Sequence, residues 1–433
     1  MLSNCVNKVQ KVSRREVEVS GASWRSRYEA LLRRFPDVAS SARLTICCTS
    51  SCLDVSLFLR ELPDPRSIQN PDAAKFLDQI VTRAQSGVGG EVVVNWPGGG
   101  TWLKTAAPVT CSWGGTGPHA SMALAALGAP AVNALGARGE LVLSRIPAGV
   151  LLAENGRLVR SGGAVRRHGE SAEVFIIEFS AGEVCGGKTL PRSSRIIVRF
   201  GDIGIEDDAD FGELTARLAH YAGAGLIGGF QCVSDHQLRD EYARLSSMSS
   251  GWIAAGVPFV HLELAGYESS ELCEQALRAL RGSYNSLGMS LSEFKLYFGG
   301  SDFSGALCRL ASSLGLRRLA VHADEWAAAV TLDDPEVEIE ALMSGCLLAS
   351  ARASSGAHGF PKVLPADAHF AKLPFAERQE LGEWAFVSCP SPYLPSPATT
   401  LGLGDTFTAG CLLVLGGHAE IPSVSRDAGS ELG

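Results

Sequence analysis

Apolar residues at helical spacing open the readable part of the chain. Trp24, Tyr28, Leu31, Leu32 and Phe35 line one face of a helix predicted over 24–35. A short apolar run at 44–48 comes next and reads as a buried strand. Residues 73–85 repeat the helical spacing. Glu91 to Val94 read as a strand closed by Pro97 and three glycines, and a helix over 120–127 comes after a glycine-rich turn. Between 140 and 200 the period changes to that of strands: 141–143, 149–152, 174–177 and 196–198, joined by polar turns. That stretch predicts an antiparallel inset. Alternation then resumes, with helices at 211–221, 236–247, 269–280 and 303–314. They are interleaved with apolar runs at 224–227, 259–263, near Leu287 and at 318–321. Helix and strand in alternation predict a parallel sheet covered on both faces.

Composition narrows the class. The 433 residues are 46% hydrophobic, enough for a large α/β core and too apolar for a disordered polymer. The 38 basic and 46 acidic residues give a net charge of -8. The basic clusters are only short pairs such as Arg166-Arg167, so no nucleic-acid partner is expected. The 12 cysteines form no Cys-x-x-Cys pair, which argues against zinc. Cys232, Cys346 and Cys411 sit in apolar runs and read as small core residues of a reducing compartment. The first 30 residues lack a secretory pattern and no run is long enough to span a bilayer, so the expectation is a cytoplasmic protein with no membrane partner.

Gly is raised, at 48 residues. Such enrichment suits tight strand–helix turns or a compositional bias, and three glycine motifs bear on the choice. Leu401-Gly402-Leu403-Gly404-Asp405 precedes a small, apolar helix. Its amides and the helix dipole suit a phosphate, and Asp405 at the same end could accept a proton from an attacking hydroxyl, or simply cap the helix. Gly182 to Thr189 fits the P-loop letters G-x-x-x-x-G-K-[ST], but Pro191 and a strand-like run at 195–198 stand where a helix is required. It is read as a chance match. Gly115-Thr116-Gly117-Pro118-His119-Ala120 fits G-x-G-x-x-[GA] too far down the chain for a dinucleotide fingerprint. Gly114, Gly115 and Gly117 would instead permit close approach to a small polar ligand. Asp54, Glu263 and Glu293 lie near strand ends, where carboxylates face a binding crevice or remain ordinary solvated groups.

Taken in order from about Leu44 to Ala409, these pieces resemble the ADP-dependent glucokinase/phosphofructokinase family of the ribokinase-like superfamily, with the eukaryotic glucokinase branch nearest in wording. The resemblance implies a three-layer α/β/α sandwich spanning 41–433, preceded by a helical extension over 1–40. A smaller β-rich lid would be built from insertions around 55–110 and 140–200. It implies Asp405 as catalytic base and Gly402, Leu403 and Gly404 as the anion hole. Arg195 would reach the nucleotide phosphates. Asp54, Gly114 and Gly115 would hold the sugar, and Glu91 would stand near a position tied to glucose. Glu263 of His261-Leu262-Glu263 and Glu293 of Ser290-Leu291-Ser292-Glu293 would serve Mg²⁺ together with Asp405. The implied reaction is transfer from ADP to the 6-OH of glucose by a monomer, releasing AMP. Ser50, Thr116 and Ser290 replace family Asn residues, and a Ser donates and accepts from a shorter reach. An ATP-dependent sugar or nucleoside kinase of the same fold, and a catalytically weak sugar- or nucleotide-binding protein, stand as alternatives.

Overall fold

Period-3.6 and period-2 segments separate into two sheets in the computed structural model, which describes residues 21–169, 171–201, 203–232, 235–267, 269–299 and 302–418. The larger sheet has eleven strands. Its parallel centre runs Arg318–His322, Ser286–Ser290, Phe259–Glu263, Ala222–Ile227, Leu44–Cys47, Ala131–Asn133 and Leu151–Glu154. Arg157–Arg160 closes one edge antiparallel; Trp326–Thr331, Trp384–Pro390 and Arg378–Leu381 close the other.

The central strands are buried along their whole length, as parallel strands covered on both faces must be. One face carries the helices Gly21–Ser40, Thr116–Ala126, Pro335–Ser355 and Leu403–His418. The other carries Ala209–Leu218, Asp235–Ala254, Ser270–Ala279 and Phe303–Leu314. The result is a three-layer α/β/α sandwich. Chain order reverses between Leu44–Cys47 and Ala222–Ile227, which opens a crevice beyond the carboxyl ends of the parallel strands.

The smaller sheet has five strands, in the order Gly90–Val93, Ser194–Arg199, Glu173–Phe179, Cys52–Phe58 and Thr110–Gly114. Alternation gives it two unlike faces. Val55, Leu57, Phe175, Ile177, Phe179, Ile196 and Val198 pack with Phe76, Leu77 and Ile80 of the helix Pro71–Gln85. Rings of Phe76, Trp96 and Phe200 meet at 5.8–6.1 Å. The opposite face carries Asp54, Glu178, Arg195 and Arg199 in alternate register with those apolar residues.

Four expectations change. The segment 141–143 is helical, within Glu140–Leu143, because Gly139 and the polar Ser144 bound only one apolar turn. Leu151–Glu154 and Arg157–Arg160 join the large sheet, so the second lid insert narrows to 173–199. Asp54 does not end a strand of the large sheet; it is the third residue of the lid strand Cys52–Phe58. The helix Gly21–Ser40 is not an extension, since Trp24, Tyr28, Leu31 and Phe35 are buried in the core shared with Leu403–His418. Residues 1–20 and the side chain of Cys232 lie outside the described residues, whereas Cys346 and Cys411 are buried. Among the described residues no helix is long and apolar enough to cross a membrane.

Candidate active site

The crevice begins with a glycine. Gly402 has φ +61, a backbone state that strains any L side chain, and a Cβ there would meet the His119 ring at 2.9 Å. The helix Leu403–His418 starts directly after it. Its first intrahelical bond runs from Thr406 N–H to Gly402 C=O at 3.0 Å. The amides of Leu403, Gly404 and Asp405 therefore precede the ladder and are open to an anion. Asp405 is the third residue of that helix rather than its N-cap.

Glu178, on the polar face of the lid sheet, ties this turn to the lid. It accepts from Thr400 N–H at 2.8 Å and from the Thr399 hydroxyl at 3.2 Å. Arg195 pairs with Glu178 in strand register, and its Nε is buried with no hydrogen-bond partner. A buried guanidinium nitrogen without a partner retains a donor for an anionic oxygen.

At the strand ends lies a carboxylate cluster. His261 and Glu263 alternate along Phe259–Glu263, and a Cβ on Gly288 of the neighbouring strand would meet Glu263 Oε2 at 2.3 Å and His261 Nε2 at 2.5 Å. Gly288 thus makes room for the pair. Glu263 accepts from His261 Nε2 at 3.0 Å, Thr408 Oγ1 at 3.0 Å and His322 Nε2 at 3.2 Å. Burial pushes its carboxyl up, but the two imidazoles outweigh burial and hold it at about 2. His261 is pushed down by burial. In His322, burial is outweighed by Glu263, with smaller pulls from Glu293 and Asp405, so its pKa rises. His322 thus lies beside Glu263, and a Cβ on Gly404 would meet its ring at 3.1 Å.

Glu293 closes a capping box on the helix Leu291–Tyr297. Its Oε2 accepts from Ser290 N–H at 2.6 Å, and Ser290 Oγ accepts from Glu293 N–H at 3.2 Å. Ser290 thus performs a capping task open to Asn as well. Burial, reinforced by the charge of Glu263, pushes Glu293 up to about 7 against the Ser290 amide bond.

Glu263 has both oxygens engaged, and no three potential ligands gather into a cage among the described residues. Glu263 and Glu293 offer carboxylates of the kind that would suit a hydrated divalent cation rather than a cage of direct ligands, since Mg²⁺ keeps several waters and takes one or two carboxylates.

On the acceptor side Asp54 is 3% exposed and bonds His119 Nε2 at 2.9 Å. A Cβ on Gly114 would meet its carboxylate at 2.1 Å. Gly114 is therefore bare to admit Asp54, rather than only to admit a ligand. Gly115, at φ +111, precedes the helix Thr116–Ala126. Ser50 is buried against Gly229. Glu91 forms an ion pair with Arg199 and is not presented as a free acceptor. Gly182 to Thr189 is a hairpin, Val184–Cys185 against Lys188–Thr189, with Lys188 exposed, so no phosphate cradle exists there.

The crevice thus brings together Asp405, Gly402, Leu403, Gly404, Asp54, Gly114 and Gly115, with Arg195 and Glu178 reaching in from the lid. Sequence reasoning missed His119, His322, Thr408 and Glu178 as members of the site. His322 ends the strand Arg318–His322, so the strand-end argument applied to Glu263 would have found it.

Comparison with known proteins agrees with this fold. An ADP-dependent kinase solved with fructose 6-phosphate and ADPβS is similar, with a TM-score of 0.76 at 17% identity over 92% of this chain and 99% of that one. The last common ancestor of ADP-dependent phosphofructokinases from Methanosarcinales gives 0.71 at 16% identity over 93% and 100%. In sequence, ADP-specific phosphofructokinase of Pyrococcus furiosus is 23% identical over 263 residues, 52% of this chain. That match spans 58% of the relative's length. Residues 57–299 match the conserved region of ADP-specific phosphofructokinase/glucokinase, more than half of the chain, and the protein therefore belongs to the ADP-specific phosphofructokinase/glucokinase family.

Proposed function

We propose that the protein is an ADP-dependent sugar kinase that moves the β-phosphoryl group of ADP to a sugar hydroxyl and releases AMP. The observation that carries this reading is the placement of Asp405. It lies in the first turn of a helix whose leading amides are open, in a crevice that Asp54 enters from the lid strand. Asp405 takes the proton of the acceptor hydroxyl as its oxygen bonds to phosphorus. The bridging P–O bond breaks and its electron pair leaves with AMP. Amides at Leu403 and Gly404, with Arg195, stabilise charge on the transferring group. Asp54, oriented by His119, holds the sugar. A magnesium ion on the phosphates would supply charge neutralisation, with Glu263 and Glu293 facing it through water. Closure of the lid onto the turn, along the Glu178–Thr400 contact, excludes water as a competing nucleophile.

Glucose, through its 6-OH, is the first acceptor proposed, on the resemblance at Glu91. Fructose 6-phosphate is the second reading. It is favoured because Glu91 is engaged by Arg199 and because the relatives compared include phosphofructokinases. Formation of AMP that depends on the added sugar tests the activity, and the two sugars assayed side by side separate the acceptors. Turnover with ATP and none with ADP would favour an ATP-dependent kinase instead.

A further inference from the structure

Arg352, on the helix Pro335–Ser355, is 6% exposed, and its Nε is buried without a hydrogen-bond partner. Its Nη1 donates to the ring of His358. Burial, with the adjacent guanidinium, holds His358 down at about 2, so it remains a neutral acceptor. The His358 ring lies 5.8 Å from that of His119, the residue bonded to Asp54 and in contact with Gly402. His119 Nδ1 is a second buried polar atom without a partner. The carbonyl of Ala353 accepts from Ala398 N–H at 2.6 Å, which fastens the arginine-bearing turn to the segment leading into the glycine turn. The guanidinium is therefore linked to the acceptor carboxylate on one side and to the phosphate cradle on the other.

Its charged surroundings fit that position. Burial lowers Arg352 to about 10, still protonated at neutral pH. Asp405 acts on it most strongly among charges, then Asp54, while Arg195 is the like charge facing it. Arg352 and Arg195 thus each present a buried Nε without a partner, and the carboxylates of Asp405, Asp54 and Glu178 offset the like charge of Arg195 at Arg352. An anionic oxygen within reach of the Arg352 Nε would give it an acceptor and weaken its repulsion with Arg195.

We propose that Arg352 is a catalytic residue, whose Nε–H donates to a non-bridging oxygen of the phosphoryl group as it passes from ADP to the acceptor. His358 is a positioning residue that fixes the plane of the guanidinium. The inference rests on the phosphoryl-transfer function proposed above and adds no covalent step to it.

The test uses the full chain and sugar-dependent AMP formation. Wild type is assayed first; if it forms no AMP, the transfer function itself fails, and this inference with it. With wild type active, Arg352→Met is expected to lower kcat by ~10²–10³-fold, with KM for ADP and for sugar moving by less than about threefold. Arg352→Ala is expected to regain activity when guanidinium ion is added, which a purely structural arginine would not produce. Arg352→Met with kcat within about threefold of wild type would overturn the inference. So would an Arg352→Ala protein of wild-type melting temperature that is deaf to guanidinium. Should both variants fail to fold, Arg352→Lys decides: a lowered kcat at wild-type melting temperature supports the contact, and wild-type kcat overturns it.

Discussion

Two glycine-rich turns of this chain invert what their letters suggest. Gly182 to Thr189 satisfies a full phosphate-loop pattern, yet it is the tip of a hairpin with its lysine in solvent. Leu401 to Asp405 carries a looser pattern, yet it opens a sixteen-residue helix packed at the centre of the molecule. The difference lies in the element each turn leads into. A helix gathers unpaired amides and a dipole at one point; a hairpin consumes its amides in pairing. Contacts reinforce the distinction. A side chain on Gly182 or Gly187 would meet nothing within 4 Å, whereas one on Gly402 would strike His119.

Substitutions can break this contrast. The largest effect is expected at Asp405→Asn, which keeps the shape and removes the base. Its kcat should fall by ~10³-fold or more with ADP binding retained, measured by AMP formation and by calorimetry. Gly402→Ala comes next. Forcing a side chain to φ +61 costs about 1–2 kcal/mol before the contact with His119 is counted, so kcat/KM should drop by roughly tenfold or more.

Glu263→Gln tests the electrostatics beneath the turn. The folded carboxyl lies at about 2, below its ordinary 4.5. Its stabilisation is present above pH 4.5 and is lost as pH falls toward 2. Wild type should exceed the variant by on the order of 3 kcal/mol at neutral pH, with the gap closing in acid, read from urea melts across that range. The smallest effect belongs to the other turn: Lys188→Ala should leave activity and stability within about twofold, and a large loss there would restore the hairpin as a site.

Much of the frame was legible in local pattern. The parallel strands announced themselves as apolar runs, and helices such as 303–314 kept their periodicity. The failures were local ambiguities settled by distant partners. The segment 141–143 is too short for period to separate strand from helix, and 149–152 reads as strand without revealing which sheet it joins. Asp405, Glu263, Glu293 and the glycine turn could be picked out because they sit in short motifs. His119, Arg352 and His358 could not. His119 gains its meaning by meeting Asp54 and Gly402 in space, His358 by meeting His119 and Arg352 by meeting His358, and no spacing along the chain encodes those encounters. The same holds for Glu178, which finds Thr399 and Thr400 more than 220 residues away.

The most direct test of the account is a single assay of the purified full chain with ADP and magnesium, with glucose or fructose 6-phosphate as acceptor. AMP is expected to appear only when a sugar is present, in step with one equivalent of phosphorylated sugar. Bound ligand without any sugar-dependent AMP, or turnover with ATP and none with ADP, would contradict it.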